Sequence, residues 1–208
     1  MMHPDTRLQH ISDAVGLGVV ATRPIPRGTI VWMRDALDQV VSPERAAAMP
    51  PALRAQLDRY AYRDVDGSLV LAWDHGRHMN HSCDPSTTSI GISIEVARRD
   101  LAPGEEITCE YWIGHFTVPF TCTCGAPNCR GASMAPPTDA DRARWDEETA
   151  AAYASALTVA QPLLDAASEV QPAAWILRAL REKRAIALPS WAAGAPAAAW
   201  QDGPAATV

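Results

Sequence analysis

The sequence predicts a mostly β body followed by a helical extension, and three observations support this fold class. Short segments rich in β-branched residues, separated by Gly and Pro, recur up to about residue 131. Within that region, the stretch 42–62 has the pattern of a helical insert. After Gly131 the composition becomes rich in alanine, which is typical of helices. A chain of 208 residues is long enough for one domain with an appendage.

The β segments are defined by their turns and by the alternation of their residues. Glycine opens the first segment, and the Pro and Gly residues of 24–28 turn the chain into the second. Asp66 and Gly67 form a turn before the third. Polar and apolar residues alternate in the fourth, which predicts a half-buried strand. We expect strands at 15–22, 29–32, 68–73, 89–97 and 106–112.

The helical segments have recognisable start signals. Ser42 is a plausible N-cap with Pro43 at the first helical position, and Pro50–Pro51 then divides the insert into two short helices. Thr138 is a candidate cap for a helix that extends to about residue 157. A further helix is expected at 172–187. The Ala, Pro and Gly residues of 188–208 predict a flexible tail.

Composition and charge limit the classes of function. The net charge is −6 and the pI about 5.5, which argues against charge-driven binding of nucleic acid. No apolar run approaches the roughly 20 residues that a membrane span needs. The first residues lack the pattern of a signal peptide. We therefore expect a cytoplasmic protein with no membrane partner and no direct nucleic-acid partner.

Three cysteines crowd into one loop, with the spacing Cys122-x-Cys124-x4-Cys129. Such a cluster predicts a structural zinc site, which requires four sulfur or imidazole ligands. The fourth ligand must come from elsewhere, and the spacing leaves Cys83, Cys109 and His115 open. Three reduced cysteines without a metal are the alternative.

The segment 77–85 is dense in groups that form hydrogen bonds, and it includes Asn80, His81, Ser82 and Cys83. Taken alone, it permits nucleophilic catalysis by Cys83 with His81 as the base. It equally permits a structural turn that ends at Asp84–Pro85, in which the polar groups satisfy the backbone. Its neighbours in the sequence give it a more specific meaning.

Four motifs in order make the chain resemble the SET family over roughly residues 7–131. The first is Gly16-Leu17-Gly18 with the segment 21–28, and the second is the segment 77–85 around Asn-His-Ser-Cys. The third is the Gly-Glu-Glu-Ile-Thr-Cys-Glu-Tyr strand of 104–111. The fourth, Cys122-x-Cys124-Gly with Cys129-Arg-Gly, resembles a post-SET zinc motif.

The resemblance implies a SET-domain fold of the β-clip type, in which small β-sheets surround a knot-like threaded segment. It implies a SET domain at 7–115 and a post-SET zinc loop at 116–132, whereas the composition after residue 131 predicts the helical extension at 138–187 and the tail at 188–208. It also implies that Cys83 is the fourth zinc ligand. The expected site is Cys83, Cys122, Cys124 and Cys129.

The resemblance further implies binding of S-adenosylmethionine and transfer of its methyl group to an amine. Tyr111 matches the catalytic tyrosine of the family, whose hydroxyl orients the amine and the sulfonium. A narrow apolar channel would lower the pKa of the substrate lysine and so favour its neutral form. The residues expected to contact the cofactor are Val15, Gly16, Leu17, Asn80, His81, Tyr111 and Phe120.

Several positions depart from the family pattern or add to it. His78 stands where the family usually has Phe, and Ser86 replaces the usual Asn. Cys109 occupies the position that influences how many methyl groups are added. Its small thiol leaves room for a dimethylated or trimethylated product. Glu95 and Glu110 are candidates for steering a cationic substrate.

The leading interpretation is a protein-lysine N-methyltransferase. A small-molecule amine or free amino acid is an alternative substrate, because the cofactor half of such a site is shared. A non-catalytic SET-like binding module is the alternative from another class. Trp145, Tyr153 and Trp175 are expected to pack on the body or to form a homodimer interface through the C-terminal helices.

Overall fold

The computed structural model of the protein describes residues 1–113, 119–167, 172–194 and 199–200. Its strands are β1 Thr6–Ser12, β2 Gly16–Ala21, β3 Ile30–Met33, β4 Gln39–Val41, β5 Tyr62–Arg63, β6 Leu69–Leu71, β7 Asn80–His81, β8 Thr87–Ser89, β9 Ile94–Ala97 and β10 Glu106–Cys109. Its α-helices are α1 Pro43–Ala47, α2 Pro51–Tyr60, α3 Asp139–Ala156 and α4 Ala174–Arg181.

The strands form small sheets, as the fold class predicted. One sheet has the order β1-β2-β10-β7, a second β3-β9-β8 and a third β4-β6-β5. All pairs are antiparallel except β10 and β7, where Thr108 pairs with Asn80 and Cys109 with His81 in parallel register. This pairing places the Asn80–His81 segment directly beside the strand that leads to Tyr111.

The prediction of a single strand over 89–97 is wrong. The chain forms a hairpin there, in which Ser89 of β8 pairs with Glu95 of β9. Gly91 lies in the turn with φ +71°, a left-handed conformation that glycine adopts without strain. The backbone N–H of Ile90 donates to the carbonyl of Ile94 and closes the turn. The expected polar face is also absent, since Ser93 is fully buried.

Other strand predictions differ in extent. The strand expected at 106–112 ends at Cys109, because residues 111–113 form a turn. The first strand, β1, has a largely polar and exposed sequence and was not predicted. It is held by its antiparallel pairing along β2. The short strands β4 and β5 were also not predicted.

The helices of the insert were predicted correctly, and so was the start of α3. The Ser42 hydroxyl accepts from the N–H of Arg45 at the start of α1. Thr138 caps α3, and Asp141 completes a capping box by accepting from the backbone of Thr138. The last helix is shorter than expected, because α4 ends at Arg181 and Lys183 has φ +52°.

The described part of the tail packs against the body, contrary to the expected flexibility. Trp191 and Trp200 are buried and stack on each other with ring centroids 5.0 Å apart. The carboxylate of Asp146 in α3 accepts from the hydroxyl of Ser190 and from the N–H of Trp191. The two tryptophan rings bury enough apolar surface to hold a segment whose overall composition is weakly hydrophobic.

The main core joins the sheets to the helical extension. Trp145 and Tyr153 of α3 are buried in it, and Trp175 packs partly buried against it, so these aromatic residues pack on the body. A smaller core lies beneath α1 and α2. Among the described residues, no helix is both long and apolar enough to cross a membrane.

Candidate functional site

A cavity of about 740 Å³ lies between the turn after β1, helix α2 and the cysteine loop. Its volume is within the range of ligand sites, about 300–1,000 Å³. All the residues expected to contact a cofactor line it: Val15, Gly16, Leu17, Asn80, His81, Tyr111 and Phe120. The structure therefore brings together residues that are up to about a hundred positions apart in the sequence.

Asn80 is fixed at the edge of this cavity by the main sheet. Its Nδ2 donates to the carbonyl of Leu17 at 3.1 Å and to Oε1 of Glu106 at 2.7 Å. Gly18 makes this contact possible, because a Cβ there would lie 2.8 Å from Nδ2 of Asn80 and 2.5 Å from the Glu106 carboxylate. Both amide hydrogens of Asn80 are thereby used within the protein.

His81 lies in the wall between the cavity and the cysteine loop. Its Nδ1 accepts from the N–H of Tyr111 at 3.3 Å, and its Nε2 lies 3.3 Å from Sγ of Cys83. Burial, and then the nearby Arg130 guanidinium, lower the pKa of His81 to about 4. The ring is therefore neutral at pH 7. Because Nδ1 accepts a hydrogen bond, its proton is on Nε2 and faces the sulfur.

Tyr111 follows β10 and forms an aromatic group with two other residues of the cavity wall. Its ring centroid lies 5.4 Å from that of His81 and 6.0 Å from that of Phe120. Its hydroxyl donates to the carbonyl of Met79 at 2.8 Å. Burial raises the pKa of Tyr111, so the hydroxyl stays protonated and can act as a donor.

A second cavity, of about 60 Å³, is lined in part by Met79. Such a volume holds roughly four water-sized groups, enough for the end of an alkyl chain. Cys109, Glu95 and Met79 line it, whereas Tyr60 and Arg77 line both cavities. Tyr111 lines the large cavity, and its hydroxyl donates to the carbonyl of Met79, a residue that lines the small one. It therefore lies at the boundary of the two cavities.

The four cysteines of the predicted metal site are neighbours. The Sγ atoms of Cys83, Cys122, Cys124 and Cys129 all lie within 4.8 Å of one another. Of the other candidate ligands, Cys109 lies outside this cluster, in the small cavity, and His115 is outside the described residues. Cys83 is fully buried and lines neither cavity, which argues against a role as a nucleophile.

Comparison with known proteins identifies this arrangement. A model of the SET domain family matches residues 16–112, slightly less than half of the chain. Residues 16–112 form a SET domain. The matched segment contains the turn at Gly16, the Asn80–His81 strand and Tyr111, whereas the cysteines of the loop follow it.

The SET domain and its flanks are similar to histone-lysine methyltransferases. A "Histone-lysine N-methyltransferase, H3 lysine-4 specific" of Yarrowia lipolytica is 37% identical over 131 residues, which are 55% of this chain and 11% of that protein. One of Schizosaccharomyces pombe is 36% identical over 84 residues, 36% of this chain and 9% of that protein. A histone-lysine N-methyltransferase of Arabidopsis thaliana is 28% identical over 134 residues, 57% of this chain and 36% of that protein. The chain thus spans about a tenth of the first two relatives.

Two departures from the family pattern have structural explanations in this SET domain. His78 lines the large cavity and packs edge-on against Tyr60, with ring centroids 5.1 Å apart. Ser86 is buried, and its hydroxyl accepts from the N–H of Thr108 and donates to the carbonyl of Glu106. Each residue therefore makes a specific contact with a neighbouring element of the domain.

The ion pair of Glu110 and Arg130 is buried and was not predicted from the sequence. An Arg130 guanidinium nitrogen lies 2.7 Å from Oε1 of Glu110, and the guanidinium packs over the ring of Trp145 at 5.9 Å. Burial raises the pKa of Glu110, and Arg130 opposes this by stabilising the carboxylate. Arg130 adjoins Cys129, so this pair connects the cysteine loop to Glu110, the residue before Tyr111.

Proposed function

We propose that this SET domain is an S-adenosylmethionine-dependent N-methyltransferase that acts on lysine side chains of a protein substrate. One observation carries the proposal: the residues expected to contact the cofactor line one cavity, and Tyr111 lies where that cavity borders a second, smaller one. Two adjoining cavities of such different size suit one large and one narrow reactant. The similarity to histone-lysine methyltransferases supports lysine as the acceptor.

The large cavity fits S-adenosylmethionine, which would supply an activated methyl group on a sulfonium. Backbone groups of Val15, Gly16 and Leu17 would hold its amino-acid part, because glycine allows close approach of the main chain. The amide hydrogens of Asn80 are engaged by Leu17 and Glu106, which leaves Oδ1 as the acceptor for a ligand amine. Phe120 is 45% exposed and would cover apolar parts of the ligand.

The small cavity would hold the end of the substrate side chain. Its walls include buried rings of Trp32 and Tyr62, which exclude water and disfavour the charged form of an amine. The protonated Tyr111 hydroxyl would orient the reacting groups. Methyl transfer needs an in-line approach of a neutral amine, so positioning by these residues accounts for much of the proposed catalysis.

Zinc is the metal that we propose for Cys83, Cys122, Cys124 and Cys129. In a tetrahedral site with Zn–S bonds of about 2.3 Å, sulfur atoms are about 3.8 Å apart. The separation of Sγ of Cys83 from Sγ of Cys122 is 3.9 Å. Backbone N–H groups of Arg130 and Cys83 point at cluster sulfurs, at 3.4 Å each, and would stabilise thiolates. The metal would fix the loop that forms one wall of the large cavity.

Cys109 is proposed to permit more than one methylation. It lines the small cavity, and burial raises the pKa of its thiol, so it stays neutral and compact. A neutral thiol occupies less space than a tyrosine side chain at the same position. The space would accommodate a nitrogen that already carries a methyl group.

The proposed activity is tested by incubating the protein with methyl-labelled S-adenosylmethionine and three acceptors. The acceptors are mixed histones, the same histones with all lysines chemically acetylated, and free L-lysine. We expect label on the untreated histones and much less on the blocked ones. Label on free lysine alone would favour the small-molecule substrate, and label in no acceptor would contradict the enzyme.

A homodimer through the C-terminal helices and a cytoplasmic location stay predictions. Size-exclusion chromatography with light scattering gives the mass of the particle and so tests the dimer. Imaging of a tagged full-length protein tests the compartment.

A further inference from the structure

Glu95 lines the small cavity, yet a carboxyl group does not suit an apolar channel for a lysine side chain. It stands in β9, opposite Ser89 of β8 on one side and Trp32 of β3 on the other. Residues directly opposite in register point to the same face of a sheet. All three residues line the small cavity, so the strand pairing itself aims the carboxyl into it.

Two hydroxyl groups hold this carboxyl in place. Ser89 Oγ contacts Oε1 of Glu95, and Thr87 Oγ1 lies 2.5 Å from Oε2. Thr87 Oγ1 also lies 3.0 Å from the carbonyl of Thr108, which can only accept. Because the hydroxyl has one hydrogen, donation to Thr108 leaves its oxygen to accept from a protonated Glu95. The carboxyl is therefore placed to exist in both the neutral and the ionised form.

The surroundings of Glu95 favour a group that exchanges its proton near neutral pH. Burial raises the pKa of Glu95 to about 7, against the hydrogen bonds from Ser89 and Thr87, and the nearby Glu110 raises it further. None of the ion pairs among the residues that the structure describes includes Glu95. The other titratable or charged groups that line the cavity are Tyr60, Tyr62, Arg77, Cys109 and Glu110.

We propose that the Glu95 carboxylate is the general base of the small cavity. It accepts an N–H of the substrate ammonium and takes up its proton. This inference rests on the proposed function, because it assigns a base to the amine that the small cavity would hold. Glu95 thus becomes a catalytic residue. A group with a pKa near the working pH is the most effective general base.

The step balances in protons and electrons. The ammonium gives one proton to the Glu95 carboxylate, which leaves a neutral amine and a neutral carboxyl. The nitrogen lone pair then forms the new N–C bond, while the C–S bond of the methyl donor breaks and its electron pair goes to sulfur. Glu95 afterwards releases its proton to water, which restores the carboxylate.

The test compares the pH dependence of kcat/KM for histone methylation between the wild type and Glu95→Gln. We expect kcat/KM of the wild type to rise with pH near pH 7, and we expect the variant to lack this rising limb of the profile. At pH 7 the variant should be about 100-fold slower, within the range for loss of a general base. The gap should narrow toward high pH, where the free amine becomes abundant without a base. Glu105→Gln, a carboxyl on the surface paired with Arg99, should retain the wild-type profile.

A purely structural role would lower activity by the same factor at every pH, and this outcome would overturn the assignment. Ser89→Ala is the second variant, because it keeps the carboxyl and removes one hydrogen bond to its ionised form. We expect Ser89→Ala to move the limb to higher pH. An unchanged limb in that variant would also contradict the role of Glu95.

A binding measurement separates this inference from the proposed function. Below pH 7, infrared difference spectra of the wild type with n-butylamine as the probe should show the Glu95 carboxyl losing its proton, because the step begins from a Glu95 carboxylate that is hydrogen-bonded to the bound ammonium. The signal should be absent from Glu95→Gln. A wild type that methylates nothing but ionises Glu95 with butylamine would contradict only the proposed function. A wild type that methylates histones without this ionisation would contradict only the inference.

Discussion

The two cavities of the domain differ in size, in their walls and in the origin of those walls. The large one, of about 740 Å³, is bounded by a glycine turn, a helix of the insert and the cysteine loop. The small one, of about 60 Å³, is formed in part by strand residues such as Trp32, Glu95 and Cys109. Loops can be fixed by a metal, whereas sheet positions are fixed by register. The two sites should therefore respond to different perturbations.

Loss of the metal should produce the largest effect, and only the large cavity depends on it directly. Cys122→Ser removes a ligand from the proposed site, and Cys122 and Cys124 themselves line that cavity. Structural zinc contributes roughly 10 kcal/mol or more to folding of its loop. We expect loss of bound zinc by elemental analysis and at least a 100-fold weaker binding of S-adenosylmethionine by calorimetry.

The matched control for the metal is Cys109→Ser, because Cys109 lies in the small cavity and outside the cluster. This variant should keep one zinc per chain and bind the cofactor as the wild type does. Equal loss of zinc in both variants would contradict the four-cysteine site.

The Glu110–Arg130 pair connects the cysteine loop, which borders the large cavity, to Glu110, which lines the small one. Its loss should have the next largest effect. Arg130→Met leaves the buried Glu110 carboxylate without its partner. An uncompensated buried charge costs about 3–5 kcal/mol. We expect the free energy of unfolding in urea to fall by that order, with metal present throughout.

Arg99→Met is the control for this pair, since Arg99 contacts Glu105 at the surface. An exposed pair contributes about 0–1 kcal/mol. An equal fall in the free energy of unfolding of both variants would contradict a stabilising role of the buried Glu110–Arg130 pair.

Glu95 in the small cavity should make the free energy of unfolding depend on pH. The pKa of Glu95 is raised from 4.5 to about 7 in the folded protein. Below pH 4.5 both folded and unfolded forms are protonated; between pH 4.5 and 7 the unfolded form ionises first. The stability linked to Glu95 is therefore lost as pH rises through this window, by roughly 3 kcal/mol in total.

Urea unfolding from pH 4.5 to 8 measures this loss. The wild type should lose stability relative to Glu95→Gln as the pH rises, because the glutamine does not titrate. Parallel curves for the two proteins would contradict a raised pKa at this position.

The smallest expected effect concerns the number of methyl groups added. Cys109→Tyr places a large side chain in the small cavity without touching the large one. We expect cofactor affinity to stay within about 2-fold of the wild type, well under 1 kcal/mol. Mass spectrometry should show dimethylated or trimethylated lysine with the wild type and mainly monomethylated lysine with the variant. Identical product distributions would show that Cys109 does not limit the product.

The sequence predicted the large cavity better than the small one. Gly16, Asn80 and Tyr111 lie in short motifs, and a motif specifies local geometry that the fold then brings together. The role of Glu95 depends on its register opposite Ser89 and Trp32, which becomes visible only once strands are paired. The wrong prediction of one strand over 89–97 concealed this pairing.

Two other features depended on tertiary contacts that no local pattern contains. Trp191 and Trp200 lie in a segment whose composition predicts flexibility, but their rings stack and are buried. Arg130 was noted only as part of the Cys-Arg-Gly motif, and its partner Glu110 is 20 residues away. The two tryptophans in the tail and the arginine next to Cys129 were the sequence signals that could have indicated these two features.

The central claim is that the methyl group passes between the two cavities at Tyr111. Tyr111→Phe tests it, with Tyr153→Phe as the matched control, because both tyrosines donate to a backbone carbonyl at 2.8 Å but Tyr153 lies in α3. We predict that Tyr111→Phe binds S-adenosylmethionine within a few-fold of the wild type and methylates histones at least about 100-fold more slowly, because the hydroxyl no longer positions the reacting groups. Tyr153→Phe should transfer methyl groups at the wild-type rate. Methyl transfer by Tyr111→Phe at the rate of Tyr153→Phe would contradict the account.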